Sequence, residues 1–312
     1  MKSNRLTKGR LGVAVGALAL MFGLAVQAAV AAEPESVTFT VTATARKGSD
    51  VPAVTKNDVQ FFLEKQRTPI TDWKRGEKLY LAVLIDDSLE SSVANQWNEL
   101  RAFFNAMPDT TYISVSYSRN GVAMVAQDFT NDHALAGKAL RLPLGDGGTF
   151  SSPYLTVQDL IKRWPATPPD SRKSILMISS GIDYFRGNFE PITPDMDTTV
   201  EYAQKQNINV WSIYAPDARH RSRGLFLSYR GQMNLSELAE ETGGESYYLS
   251  AAPLVSFKPY LDELLMHLNN QYLLTFEGNG GPKGRFERVH ESTELSNAEL
   301  FSASRAYLPP VK

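Results

Sequence analysis

One stretch of the sequence constrains the fold more than any other. Residues 79–85 are a run of seven mostly apolar side chains, and residues 86–92 are acidic or carry hydroxyl groups, apart from one leucine. Such an apolar run is typical of a strand that is buried on both faces, as in a parallel sheet. A helical pattern begins at once, with apolar residues spaced by three or four from Val93 to Met107. A polar cluster between a buried strand and a helix start is where open α/β sheets bind ligands.

Further strand patterns follow, with helical patterns between them. Strands are predicted at 111–117, 174–179 and 208–214, and residues 121–129 are predicted to pair with the first of these as a hairpin at a sheet edge. Strands that alternate with helices indicate parallel units with right-handed crossovers. We therefore expect an α/β fold whose core is a Rossmann-like, doubly wound, mostly parallel sheet.

Both ends of the chain outside this core show antiparallel strand patterns instead. We expect an N-terminal β segment at 36–76, the α/β domain at 77–270 and a C-terminal β segment at 271–309. The two end segments are expected to pack together in one small sheet, which forms a β subdomain beside the core.

The first residues predict export. Residues 1–32 contain four basic and no acidic side chains, a long apolar run, and an Ala-x-Ala sequence at 29–31. This pattern is typical of a secretory signal peptide, here 1–31, and its cleavage is the favoured interpretation. The alternative is an uncleaved anchor, because the apolar run is long enough to span a bilayer. In both cases we expect a periplasmic or secreted protein, with membrane contact only if the segment is retained.

Composition excludes several classes of site and partner. The chain has no cysteine, which excludes disulfides, lipid attachment through cysteine and thiolate metal sites. Without residues 1–32 the balance is 28 basic to 34 acidic side chains. A mildly acidic protein is not an expected nucleic-acid binder.

Three loops between the predicted strands and helices carry side chains with oxygen atoms. They are Asp86, Ser88 and Glu90 in the first loop, Asp146 and Thr149 in a glycine-rich second loop, and Ser180 and Asp183 in the third. Loops at the same edge of a parallel sheet lie close together. Carboxylate and hydroxyl oxygens suit Mg²⁺ or Mn²⁺, so these loops predict a divalent cation site.

The same motifs resemble the von Willebrand factor A (VWA) domain. They are Asp86-x-Ser88, Gly148-Thr149, and a strand that ends in Ser-Ser-Gly-Ile-Asp at 179–183. In that family a D-x-S-x-S motif, a distant threonine and a strand-end aspartate form a metal-ion-dependent adhesion site (MIDAS). The resemblance implies a Rossmann-like fold and metal-bridged binding of an acidic group on a protein partner, without catalysis. The flanking segments resemble an exported bacterial VWFA-related subfamily first noted in Acidobacteria, and the likeness spans nearly all of 36–309.

Two positions depart from the family pattern. Glu90 replaces the third hydroxyl, and Ser180 stands where the strand-end aspartate is expected. Glu90 either supplies the carboxylate that is lost at Ser180, or its longer side chain occupies the site itself. The resemblance implies Asp86, Ser88, Glu90 and Thr149 as metal ligands, with Ser180, Asp183 and Asp146 as supporting or partner-binding residues. The metal-free alternative is that the acidic loop caps the following helix at Ser91 or Ser92.

Two other functions stay open. A scaffold without metal would bind its partner through surface loops, for example the arginine-rich loop that contains Arg221 and Arg223. A serine hydrolase using Ser180 or Asp183 is the distant alternative, because the sequence has no nucleophile elbow and no identifiable base. The four histidines show no ligand spacing and are expected to have surface or packing roles. We therefore expect a binding protein rather than an enzyme.

Overall fold

A computed structural model describes residues 35–48, 50–186, 194–219, 225–248 and 255–311. Ala32–Lys312 forms one compact unit. The predicted signal peptide at 1–31 lies outside the described residues, as do Arg221 and Arg223. None of the helices in the described part of the chain has the length and apolarity that a membrane crossing needs.

The N-terminal segment supplies four strands. They are β1 (Glu35–Ala45), β2 (Val59–Leu63), β3 (Gln66–Arg67) and β4 (Ile70–Arg75). None of these strands belongs to the central sheet, which begins with the next strand along the chain.

Six strands form the central sheet. They are β5 (Leu79–Asp86), β6 (Thr111–Arg119), β7 (Val122–Thr130), β8 (Arg172–Ser179), β9 (Ile208–Tyr214) and β10 (Ser246–Tyr247). Their order is β10-β9-β8-β5-β6-β7. All neighbours are parallel except β7, which pairs antiparallel with β6 at the edge. The predicted α/β fold with a mostly parallel, Rossmann-like sheet is confirmed.

Helices cover both faces of this sheet. They are α1 (Trp97–Ala106), α2 (His133–Lys138), α3 (Pro153–Lys162), α4 (Pro194–Lys205), α5 (Leu225–Glu241) and α6 (Lys258–Asn269). Successive side chains of a strand point to opposite faces, so the apolar strand β5 serves two cores. Leu81 and Val83 pack in the core that contains α1 and α6, whereas Ala82 and Leu84 pack in the core that contains α3, α4 and α5.

The C-terminal segment adds four strands, which pair with those of the N-terminal segment. They are β11 (Gln271–Gly278), β12 (Arg285–Thr293), β13 (Ala298–Ser302) and β14 (Arg305–Leu308). The strands form two four-stranded sheets, β13-β1-β11-β4 and β14-β12-β2-β3, instead of the single small sheet that we expected. Both sheets contribute to one core, in which the rings of Phe61 and Phe276 lie 4.8 Å apart. Two facing sheets bury apolar side chains that a single sheet would leave exposed on one face.

A buried glutamate on β12 predicts how the stability of this fold depends on pH. Glu291 is 7% exposed, and the Ser302 hydroxyl donates a hydrogen bond of 3.0 Å to its Oε2. Burial raises the pKa of Glu291 to about 7. A raised carboxyl pKa means that the folded state binds the proton more tightly than the unfolded state. The contribution of Glu291 to stability is therefore largest below about pH 4.5 and is lost as the pH rises towards 7.

We expect Glu291→Gln to remove this pH dependence, because glutamine mimics the protonated acid. Between about pH 4.5 and pH 8 the free energy of unfolding of the variant should fall by up to about 3 kcal/mol less than that of wild type, and other buried carboxylates contribute equally to both proteins. Urea unfolding at several pH values measures it. Glu299→Gln, which removes an exposed carboxyl from β13, is the matched control. Equal pH dependence in wild type and Glu291→Gln would contradict the assignment.

Candidate functional site

The candidate site lies where β5 and β8 end side by side. The two strands pair in parallel, so Asp86 and Ser179 close the same rim of the sheet. The Ser179 hydroxyl donates a hydrogen bond of 3.0 Å to Asp86 Oδ2, and the Ser88 backbone N–H donates one of 3.0 Å to Asp86 Oδ1. The first and third of the predicted oxygen-rich loops therefore meet at this rim.

Asp86 is a buried carboxylate with polar but no basic neighbours. It is 2% exposed, and no ion pair joins it to a lysine or arginine among the residues that the structure describes. Burial raises the pKa of Asp86 to about 6, against the hydrogen bond from Ser88, and the nearby charge of Asp217 adds to the rise. A buried carboxylate without a counter-charge is unfavourable. This position is therefore suited to a cation.

Asp217 is the residue of this site that sequence analysis missed. It follows β9, is 1% exposed, and accepts a hydrogen bond of 2.7 Å from the Arg219 backbone N–H. Its loop reaches the loop after β5, because Leu89 and Asp217 form a short antiparallel bridge. The backbone N–H of Ala218 also donates to Ser88 O at 2.9 Å. One signal was available, since an aspartate that follows a strand end belongs to the same rim.

Two buried hydroxyl groups belong to the loops that follow β5 and β8 at this rim. Ser180 is fully buried, and its Oγ has no hydrogen-bond partner in the described part of the chain. Ser88 is 1% exposed, and its hydroxyl lies near enough to Asp86 to lower the pKa of that carboxyl, although no well-formed hydrogen bond joins them. Other buried hydroxyls of the described part, among them those of Ser114, Ser116 and Ser174, also lack a partner, so these two point to a ligand only together with the neighbouring carboxylates.

The second loop approaches the site at Gly147. A Cβ at Gly147 would stand 3.3 Å from Ser88 Cβ and would collide with Ser151 Oγ, so the absence of a side chain allows the loops to touch. Thr149, the predicted ligand of this loop, lies exposed in a turn, whereas Ser151 and Ser152 are buried. The role of Thr149 as a ligand stays a prediction. In the same loop, the hydroxyl of Ser151 is buried and lies close to Gly147.

Asp183 joins the second and third loops. Its Oδ2 accepts a hydrogen bond of 2.8 Å from the Ser152 hydroxyl, and its Oδ1 accepts the backbone N–H groups of Phe185 and Arg186 at 2.9 and 3.2 Å. Burial raises the pKa of this carboxyl against these hydrogen bonds. The carboxylate of Asp183 thus has hydrogen-bond partners within the protein, and it holds the second and third loops together.

Asp146 and Glu90 lie at the periphery. Asp146 is exposed, accepts the Gly148 N–H at 2.9 Å and forms an ion pair with Arg219. Glu90 is half-buried at the start of a short 3-10 helix, Ser91–Gln96, where its side chain makes no capping hydrogen bond. The Ser92 hydroxyl instead donates to Glu90 Oε2 at 3.3 Å. The metal-free alternative placed a cap at Ser91 or Ser92, whereas the helix begins at Ser91 and shows no side-chain cap at Glu90, the residue before it.

Another buried carboxylate, Asp87, anchors the loop that leads into the site. Asp87 is 1% exposed and receives two hydrogen bonds from Arg141, of 2.7 and 2.8 Å. The Arg141 guanidinium lies 3.6 Å above the centre of the Tyr117 ring. Because Arg141 starts the segment that carries Gly147, this paired charge fixes the second loop against the end of β5.

Comparison with known proteins yields similarity to solved structures. A scan of protein-family models and a search of curated proteins find no match. An aerotolerance-related membrane protein from Bacteroides fragilis has 11% identity and a TM-score of 0.43, over 61% of this chain and 98% of that one. A von Willebrand factor type A structure from Catenulispora acidiphila has 10% identity and a TM-score of 0.43, and the match covers 91% of this chain and 75% of that one.

A third similar structure is that of proximal thread matrix protein 1 from the mussel byssus, with a zinc-occupied MIDAS motif. It has 11% identity and a TM-score of 0.44, over 69% of this chain and 48% of that one. Likeness at this level concerns the chain fold alone. The second of the three carries the family name that the sequence motifs resemble, and the exported bacterial subfamily stays a prediction.

The anchor at Asp87 can be tested through stability. We expect Arg141→Ala to lower the free energy of unfolding by about 2 to 3 kcal/mol, because the substitution leaves a buried carboxylate without its charged partner. Lys258→Ala is the control, since it breaks an exposed ion pair with Asp262 and should cost less than about 0.5 kcal/mol. Urea unfolding of both variants gives the comparison. Equal losses would show that the Asp87–Arg141 pair does not hold the loop.

Proposed function

We propose that this chain is an exported protein-binding module of the VWA type, which holds a divalent cation at the rim of its central sheet and offers it to an acidic group of a protein partner. The observation that supports this most is the pair of buried carboxylates, Asp86 and Asp217, which come from different loops. Neither forms an ion pair with a lysine or arginine in the described ranges. A cation would neutralise both.

The donor set fits a hard cation. Asp86 and Asp217 would supply two carboxylate oxygens, and Ser88 and Ser180 two hydroxyls, which together suit Mg²⁺ or Mn²⁺. In this proposal Asp217 supplies the negative charge that Ser180 lacks at the strand end. Glu90 and Thr149, which the sequence implied as ligands, stay predictions at the periphery of the same rim. Water and a carboxylate of the partner would take the remaining positions, because Mg²⁺ usually retains waters.

Exposed apolar side chains around the rim favour a protein over a small acid as the partner. The rings of Phe150 and Phe185 pack edge to face at 5.5 Å, and they are 55% and 41% exposed. Leu142 and Leu144, on the segment that leads into the second loop, are more than half exposed. Exposed aromatic and aliphatic groups beside a polar centre are typical of protein interfaces. The partner surface would therefore combine one acidic side chain with apolar neighbours.

The apolar rim also supports the second candidate, a metal-free scaffold that binds through these loops. Capture of the partner in the presence of chelator would favour it. The hydrolase alternative has less support. Ser180 is fully buried, and His133 and His267, two histidines of the described part, contact Thr111 and Tyr247 instead.

The cation can be tested by calorimetric titration with Mg²⁺ and Mn²⁺. We expect wild type to bind, and Asp86→Asn and Asp217→Asn each to weaken binding by at least about tenfold, because each loses an anionic ligand. Asp146→Asn, which removes an exposed carboxylate of a neighbouring loop, should bind as wild type does. Glu90→Gln and Thr149→Ala show whether the residues implied by the family pattern contribute. Wild type without heat of binding, or with heat unchanged in both aspartate variants, would remove the proposal.

The buried charge of Asp86 predicts that removing this carboxylate stabilises the metal-free protein. In chelator near pH 7.5, Asp86→Asn should raise the free energy of unfolding by about 1 to 3 kcal/mol, because the raised pKa of Asp86 means that stability is lost as the pH rises from about 4 to 6. Mg²⁺ at about ten times the wild-type Kd should stabilise wild type by about 1.4 kcal/mol and the variant by no more than about 0.4 kcal/mol. Thermal unfolding with chelator and with Mg²⁺ measures both effects. A variant that is less stable than wild type in chelator would contradict the electrostatic account.

A further inference from the structure

A second cluster of potential metal ligands lies at one edge of the central sheet, between its edge strand β10 and helix α6. It consists of Glu245, Glu263 and His267, and one ligand atom of each lies within 4.8 Å of the other two. None of these residues belongs to the rim where β5 and β8 end. The sequence motifs gave no reason to join them, because Glu245 and the two helical residues are brought together by packing.

We propose that Glu245, Glu263 and His267 form a second cation site, which takes a divalent transition metal of the Zn²⁺ type. One imidazole nitrogen and two carboxylate oxygens are a ligand set that Zn²⁺ commonly uses, with water in a fourth position. Mg²⁺ prefers oxygen ligands alone. The two sites of this chain are therefore chemically distinct.

The ligands are held by regular backbone structure. Glu263 and His267 are four residues apart on α6, so both side chains lie on one face of the helix. Glu245 immediately precedes β10, and its backbone carbonyl accepts a hydrogen bond of 3.0 Å from the Ser212 N–H of β9. The cluster thus needs no loop rearrangement to present three ligands. A metal ion here would join the edge of the sheet to α6.

His267 has the position and protonation state of a ligand. Its side chain is 4% exposed, and its ring stacks on Trp211 with ring centres 5.5 Å apart. Burial lowers the pKa of His267 to about 4, so the imidazole is neutral near pH 7. Nδ1 faces the Tyr247 hydroxyl at 3.4 Å, which is a long and weak hydrogen bond. With the hydroxyl as donor, Nδ1 carries the lone pair that a metal requires, and the metal would take the place of this weak hydrogen bond.

The distance between His267 and Glu245 suits ligands that share an ion. His267 Nδ1 and Glu245 Oε2 are 3.6 Å apart, which is beyond ordinary hydrogen-bond distance. Two ligands at about 2.1 Å from a tetrahedral ion stand about 3.4 Å from each other. This pair is therefore within a few tenths of an ångström of the spacing of two metal ligands, and Glu263, within 4.8 Å of both, would move closer to bind.

The charges of the cluster are not balanced by basic side chains. Neither Glu245 nor Glu263 forms an ion pair with lysine or arginine within the described ranges, and their carboxylates repel each other. Burial, together with Glu263, raises the pKa of Glu245 to about 7. Burial and both carboxylates also raise the pKa of the Tyr247 hydroxyl. A divalent cation would relieve this repulsion, and the exposed Glu263 gives it access from solvent.

The test is a calorimetric titration with Zn²⁺ of the full chain that carries Asp86→Asn, so that the rim site contributes little. We expect one equivalent of Zn²⁺ to bind. Adding Glu263→Gln should weaken that binding by at least about tenfold, since loss of even an outer partner of a metal ligand typically has that effect. Glu263 is exposed, so this substitution does not endanger folding. Asp262→Asn, at the neighbouring exposed position of α6, is the matched control and should bind Zn²⁺ normally.

Co²⁺ provides a second readout in the same proteins. Bound at this site it should show the visible absorption of tetrahedral coordination and quench the fluorescence of Trp211, which stacks on His267. Glu263→Gln should reduce both signals and leave Mg²⁺ binding at the rim of the otherwise wild-type chain unchanged. Absence of Zn²⁺ binding in the Asp86→Asn background, or Zn²⁺ binding that Glu263→Gln leaves intact, would overturn the proposal. Neither result would affect the rim site.

Discussion

The constraint on which the site depends is a carboxylate buried at the end of the central strand, for which the described residues supply no counter-charge. Asp86 continues an apolar strand that is packed on both faces, so its side chain cannot turn to solvent without breaking the sheet. The protein stabilises it with the Ser88 N–H and the Ser179 hydroxyl, yet it also brings the second carboxylate of Asp217 close. Hydrogen bonds alone do not compensate two buried charges of the same sign. The fold thus keeps a local electrostatic cost, as binding sites commonly do.

The adjacent residue shows that the chain can neutralise a buried carboxylate at this rim. Asp87 is as deeply buried as Asp86, but Arg141 reaches it with two hydrogen bonds and stacks on Tyr117. Asp86 is the last residue of β5 and meets Ser179 at the end of β8, whereas Asp87 is the first residue of the following turn and meets Arg141 of the second loop. The Asp87–Arg141 pair stabilises the fold, and the carboxylate of Asp86 is left for a ligand. The difference between them is the placement of a single arginine.

The two proposed cation sites differ in how the fold builds them. The rim site is assembled from loops that follow parallel strands, where sheet geometry gathers polar groups. The Glu245 cluster is assembled from a helix face and an edge strand, and its imidazole lies in an aromatic environment with Trp211 and Phe301. An oxygen-only set and a nitrogen-containing set select different metals. One chain can therefore hold both without competition between them.

The sequence by itself determined the parallel sheet, its antiparallel edge and the rim at which Asp86 and Ser88 lie. These features follow from local patterns: an apolar run, its abrupt polar end, and the alternation of strands and helices. The prediction of one sheet at the chain ends was wrong, since two are present, and the sequence left the partners of each loop undecided. Whether Asp217 or Glu90 supplies a second carboxylate beside Asp86 depends on how the loop after β9 crosses to the loop after β5. Only the tertiary structure decides this, because loop pairing and the meeting of Glu245 with His267 result from the packing of distant segments, which leaves no periodicity in the sequence.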